Sequence, residues 1–168
     1  MALSISAGKI SSTNFSLTES NGNESITLSD SLSSTNSFTY GSGTMQITNA
    51  VSVTGAIPSG GFTRIDLYSI PQTTFNYTQN ISFTGVKNFS IQNLATTEGS
   101  DFAITATGTN ACTNLFNGGS GNLLVKPYSG FSYNDPHTGI TVSASKRYLY
   151  LNDAGSGVNY KLFILGLD

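Results

Sequence analysis

Alternation constrains this chain more than any other feature: apolar and polar residues change places one by one, as in Leu3-Ser4-Ile5, Phe15-Ser16-Leu17, Ile26-Thr27-Leu28, Met45-Gln46-Ile47 and Val51-Ser52-Val53. Successive side chains on an extended backbone point to opposite faces, so a period of two makes a strand with one buried and one solvated face. The pattern continues through Ile65-Asp66-Leu67, residues 81–83, 86–94, 102–104, 123–126, 130–133, 140–144, 147–151 and 159–165. Gly, Pro, Asn or Ser clusters separate these runs, notably Asn117-Gly118-Gly119, Asn134-Asp135-Pro136 and Asn152-Asp153-Ala154-Gly155. Their residues suit turns, because Gly and Asn accept positive φ and Pro fixes φ near −65°. No window of helical length carries a 3.6-residue apolar period, so helix content is expected to be low. The one short helical or 3₁₀ turn foreseen lies within 109–116, where Ala111, Cys112, Leu115 and Phe116 precede glycines.

About ten or more short strands cannot stay in one open sheet without wetting an apolar face. The expected fold is therefore all-β, an antiparallel β-sandwich, jelly-roll-like, with little helix. The 168 residues suit a single domain over 1–168. Residues 1–43 are poorer in large apolar side chains, and 28–37 are almost low-complexity. They are expected to form an N-terminal arm or hairpin extension, with hairpins preferred. The last apolar strand, 160–167, can pair within its own subunit or with another.

Only 10% of the residues are charged, against about 25% in average soluble proteins. Ser, Thr, Asn and Gly replace them, giving a neutral surface that can meet identical neighbours without burying unpaired charge. Seven basic residues stand against nine acidic ones. Of Lys9, Arg64, Lys87, Lys126, Lys146, Arg147 and Lys161, only Lys146 and Arg147 are adjacent. No basic footprint for nucleic acid exists in that pattern. No apolar run reaches the roughly 18 residues of a membrane helix, and the N-terminal residues show no targeting pattern.

Catalytic chemistry is not expected. His137 is the single histidine, and Asn134-Asp135-Pro136-His137-Thr138-Gly139 reads as an exposed turn. No Gly-x-Ser-x-Gly elbow accompanies it. Asp66 and Asp101 are too isolated to argue for a glycosidase pair. One His and one Cys cannot build a zinc site. Asn21-Gly22-Asn23-Glu24 and Asn152-Asp153 lack calcium-loop spacing, and Asn117-Gly118-Gly119-Ser120-Gly121 lacks the Gly-Lys ending of a phosphate loop. No catalytic, metal or cofactor residue is assigned, and no cofactor is expected. Cys112 reads as a small buried residue rather than a reactive thiol. Five Asn-x-Ser/Thr sequons, at Asn14, Asn23, Asn76, Asn80 and Asn88, would be glycan acceptors on a secreted protein, but several such triplets arise by chance in so Asn- and Ser-rich a chain, which is the preferred reading. Tyr68, Phe75, Tyr77, Tyr128, Phe131 and Tyr133 are available for a sugar platform, although Trp is absent. Tyr148 and Tyr150 share a strand face, suited to a cross-strand pair or a subunit contact.

Several stretches together resemble small virion-associated proteins of tailed bacteriophages. They are Phe89-Ser90-Ile91-Gln92-Asn93-Leu94 before Gly99-Ser100-Asp101-Phe102-Ala103-Ile104, Asn110-Ala111-Cys112-Thr113-Asn114-Leu115-Phe116 before a Gly turn, then 123–130, 136–144 and 158–166. Leu28-Ser29-Asp30 and residues 38–44 resemble the same group, whereas 55–80, with Pro58 and Pro71, depart from it. The resemblance implies a non-enzymatic structural protein of the virion, such as a capsid decoration or tail-associated protein made in the host cytoplasm. Its implied partners are itself, as a homo-oligomer with a trimer favoured, and other virion proteins; nucleic acid and membrane are not among them. Loops near 55–61 and 128–138 are expected to face solvent. The alternative expectation is a secreted bacterial or archaeal surface adhesin, fibre subunit or carbohydrate-binding sandwich, extracellular or on the cell surface, with a glycan contact.

Overall fold

The computed structural model describes residues 9–21, 24–35, 39–74, 77–116, 121–153 and 155–168. In chain order the strands are β1 (Lys9–Asn21), β2 (Glu24–Thr35), β3 (Thr39–Tyr40), β4 (Gln46–Ile47), β5 (Asn49–Ile57), β6 (Phe62–Asp66), β7 (Ile70–Thr74) and β8 (Tyr77–Ile81). They continue as β9 (Gly85–Asn93), β10 (Phe102–Thr105), β11 (Asn122–Val125), β12 (Gly130–Asn134), β13 (Ile140–Thr141), β14 (Tyr148–Asp153) and β15 (Val158–Leu167). Among the described residues a single 3₁₀ turn, Thr113–Phe116, falls inside the window foreseen for it. The expected strand at 3–5, the sequons at Asn23 and Asn76, Phe75 and the Asn117-Gly118-Gly119 turn lie outside the described residues.

Two antiparallel sheets form the sandwich, one ordered β12-β9-β15-β5, with β13 also pairing β9, and one ordered β11-β10-β14-β6. The pairs β5–β15, β6–β14, β9–β12 and β10–β11 each join strands equally far from the two ends of this set. That is one long hairpin ribbon wrapped so that successive strand pairs fall in alternate sheets, the jelly-roll arrangement. The last strand is thus central in its own subunit, hydrogen-bonded to β5 and β9.

Alternation explains why the sheets close face to face. In β15 Val158, Tyr160, Leu162 and Ile164 are buried while Asn159, Lys161 and Phe163 are exposed. Phe83, Phe102, Ile104, Leu151 and Leu162 are fully enclosed between the sheets, each worth roughly 1.5–3 kcal/mol of transfer free energy.

Two polar residues tie the layers together. Asn93, buried at the end of β9, donates to Ser100 O at 2.8 Å and Val125 O at 3.1 Å, and its Oδ1 accepts from Ala95 N at 2.9 Å. Asp153, buried at the end of β14, accepts through Oδ2 from Gly60 N, Gly155 N and Gly157 N at 3.2, 3.2 and 2.7 Å. It joins the turn after β5 to the turn before β15. Two sequence readings are corrected here. Asn152 and Asp153 belong to a strand rather than to the break, because they pair with β6 and β10. The solvent loop foreseen at 55–61 shrinks to 58–61, because Gly55, Ala56 and Ile57 pair with β15.

β1 and β2 pair from Lys9 to Asn21 as a long two-stranded ribbon, and no other described strand pairs with either edge. β7 and β8 form a second separate hairpin.

Candidate functional site

The two outward faces of the sandwich carry the chemistry, and they differ. Across the four-stranded sheet the register sets Leu124, Ala103, Asn152 and Phe62 in one row, one residue per strand. Leu124 is 54% exposed and Phe62 59%, so two large apolar side chains stand in open solvent at the ends of the row, with Ala103 and Asn152 between them. The next row holds Tyr150 opposite Arg64, and the one after it Tyr148 opposite Asp66. Arg64 stacks over the Tyr148 ring at 4.7 Å, and Arg147 lies 5.2 Å from the same ring and 5.3 Å from Tyr68. Arg147 also grips Asp66 with two nitrogens, Nε at 2.7 Å and Nη2. The hydrogen bond to Asp66 is the largest influence raising the Arg147 pKa above its ordinary value, against the opposing effect of burial. Tyr148 and Tyr150 therefore meet along one strand, edge to face at 6.2 Å, rather than across two strands. Tyr150 lies over Gly108, where a Cβ would come within 2.6 Å of its ring.

The outward face of the five-stranded sheet is divided into a covered end and an open end. Residues 41–47 roof the covered end: Ile47 packs on Leu165, both buried. Lys87, 1% exposed, donates from Nζ to Gly43 O at 2.6 Å. The pairing of β9 with β15 shifts register here, passing from Asn88 to Val86, so Lys87 is the extra residue of a β-bulge. Asn88 is buried beside it and donates to Tyr133 O at 3.0 Å. That sequon is spent inside the fold, whereas Asn80 is exposed.

At the open end, register aligns Ser132, Ser90, Phe163 and Ser52 in one row and Gly130, Gln92, Lys161 and Thr54 in the next. Ser90, Gln92, Gly130, Ser132, Lys161 and Phe163 of these rows line a depression of about 370 Å³ that ends at Tyr128. A second depression, about 450 Å³, lies beyond Tyr128 among Thr96, Glu98, Asp101, Lys126 and Pro127. Tyr128 separates the two, 73% exposed on a backbone with φ 57°.

The other titratable residues singled out in the sequence are held as follows. Burial pushes the Cys112 thiol up to about 11, with Lys146 pulling the other way, so the thiol keeps its proton at neutral pH. His137 sits in an exposed turn capped by Asp135, which accepts from His137 N, Thr138 N, Thr138 Oγ1 and Gly139 N. Asp66 pairs with Arg147 and Asp101 with Lys126. Among the described residues no cluster of His, Cys, Asp and Glu could hold a metal, and no helix is long and apolar enough to cross a membrane. Of the aromatics considered for a sugar platform, Tyr128 is the most exposed, Tyr68 is partly exposed, and Phe131 and Tyr133 pack against Phe89. The alternation of β15 marks Phe163 as outward, but only the register places it beside Tyr128's trough. No family model, curated protein or solved structure matches the chain.

Proposed function

We propose that the chain is a non-enzymatic structural protein of a bacteriophage-like particle, a homo-oligomer set on the capsid or tail surface that it stabilises through subunit contacts. The observation that carries this reading is the outward face of the four-stranded sheet. Phe62 and Leu124 stand exposed there beside a stack of two arginines and three tyrosines. Aromatic residues and arginine dominate binding energy at protein interfaces, because they remove much area from water with little loss of side-chain freedom. Asp66 already satisfies Arg147, so a neighbour can cover it without stranding a charge. The low charge of the chain as a whole suits the same use. The virion itself is argued by analogy: jelly rolls build many capsid proteins, and the second half resembles virion-associated proteins.

Light scattering on the full chain tests it. The expected result is a trimer or larger closed oligomer, which Phe62→Ser together with Leu124→Ser converts to monomer while leaving the circular dichroism unchanged. A wild-type monomer at every concentration would overturn the reading.

A further inference from the structure

We infer that the trough on the outward face of the five-stranded sheet binds a saccharide chain, which lies between Tyr128 and Phe163 across Ser90, Gln92, Ser132 and Lys161. A pyranose ring offers an apolar face of C–H groups and an edge of hydroxyls, so its binding site needs a flat aromatic beside hydrogen-bonding groups of both kinds. The trough supplies both. Tyr128 stands at its end and Phe163, 39% exposed, on its floor. Between them Gln92 offers amide donors and an acceptor, and Lys161 offers donors only. The Lys161 Nζ has no hydrogen-bond or ion-pair partner among the described residues. Ser90 and Ser132 hydroxyls lie 2.9 Å apart, each with capacity left for a ligand hydroxyl.

The shape is built rather than incidental. Gly130 leaves an open position between Tyr128 and Gln92, and the backbone enforces it, since a Cβ there would sit 2.8 Å from Ile91 O. Tyr128 holds a left-handed backbone that costs a non-glycine residue about 1 kcal/mol or more. Its loop is pinned on both sides: Tyr128 N donates to Ala95 O, and Asn93 N to Ser129 O at 2.9 Å. Asn93 is itself locked into the junction of the two sheets. The backbone that carries the aromatic is thus preorganised, which reduces the ordering cost of binding. The depression of about 370 Å³ falls in the range of small-ligand sites, about 300–1,000 Å³, and its continuation past Tyr128 gives room for a further sugar unit.

The test is a nitrogen–proton correlation spectrum of the full chain titrated with glucose, galactose, mannose, N-acetylglucosamine and glucuronate, then with dextran, mannan and alginate. The expected result is saturable shifts confined to the amides of residues 90–92, 128–132 and 161–163. Tyr128→Ala and Lys161→Ala should each weaken the best binder about tenfold while leaving the remaining spectrum and the oligomeric mass unchanged. No shift in those amides with any probe overturns the inference. So do shifts that follow dilution of the chain instead of added sugar, which would make the trough a contact between copies. Loss of the oligomer in Phe62→Ser/Leu124→Ser with the sugar shifts retained would separate this site from the assembly face.

Discussion

Asn93 shows how one side chain can hold both the fold and the proposed binding surface. All of its described contacts are to backbone, and replacing it by Leu keeps the volume while stranding Ser100 O, Val125 O and Ala95 N in a buried junction. Stranded buried groups cost about 1–3 kcal/mol each before relaxation. Asn93→Leu is therefore expected to destabilise the chain by about 2–4 kcal/mol, read as a lower urea midpoint at unchanged slope. Cys112 makes a prediction at alkaline pH. Its thiol ionises near the ordinary value of 9.0 when unfolded but is held to about 11 by burial. The folded state keeps the proton longer, so stability is full below 9.0 and falls as pH rises above it. The loss is about 1.4 kcal/mol by about pH 10, and Cys112→Ala should flatten that slope. Asp135 acts at the opposite end. Burial opposes its ionisation, but the hydrogen bonds from His137, Thr138 and Gly139 prevail and hold its carboxyl below 3.8. Its contribution is therefore present above 3.8 and lost as pH falls through the lower folded value. Asp135→Asn should lower the melting temperature slightly at neutral pH and remove that part of the acid transition.

At the scale of elements, period two revealed the strands because each carries its own buried face: β9, β10, β11, β12, β14 and β15 fall on the segments where alternation put them. Pairing was not legible, since alternation specifies a face and not a neighbour. The trough needs β9, β12 and β15 side by side, from residues about 30 or more apart in sequence, and it appears only once register is known. Lys87 was missed for a related reason. A strand lysine normally faces water, and nothing in residues 41–47 has a period that announces a roof over it. Asn88 looked like a sequon because a triplet says nothing about burial. The β1–β2 ribbon belongs to this scale as well. A lone two-stranded hairpin is marginal in water, and among the described residues no ladder joins this one to the sandwich. A chain beginning at residue 39 should melt within about 2 °C of the full chain, because the jelly-roll core is intact without it. A much larger drop in a thermal scan would mean that the ribbon supports the sandwich.

For the whole molecule, the proposed placing of assembly on one sheet and of ligand contact on the other matters because the faces point away from each other. Subunits joined through Phe62 and Leu124, as proposed, would keep every trough open. A shallow site with two aromatics and a few hydroxyl contacts binds a single sugar weakly, since only the surplus over ordering and desolvation appears as affinity. Repetition changes that. When several troughs on one closed oligomer meet a polymer with many identical units, later contacts form at an effective concentration set by subunit spacing, and avidity rises by about 10²–10⁴ without any new contact. The oligomer on an immobilised polysaccharide that binds the trough should therefore dissociate far more slowly than the Phe62→Ser/Leu124→Ser monomer, while both give the same single-site affinity for the free monosaccharide. Surface plasmon resonance on the polysaccharide, paired with spectral titration of the monosaccharide, separates the two quantities. Equal dissociation rates would show that the troughs do not act together, and a weaker monosaccharide affinity in the monomer would show that the two faces are not independent.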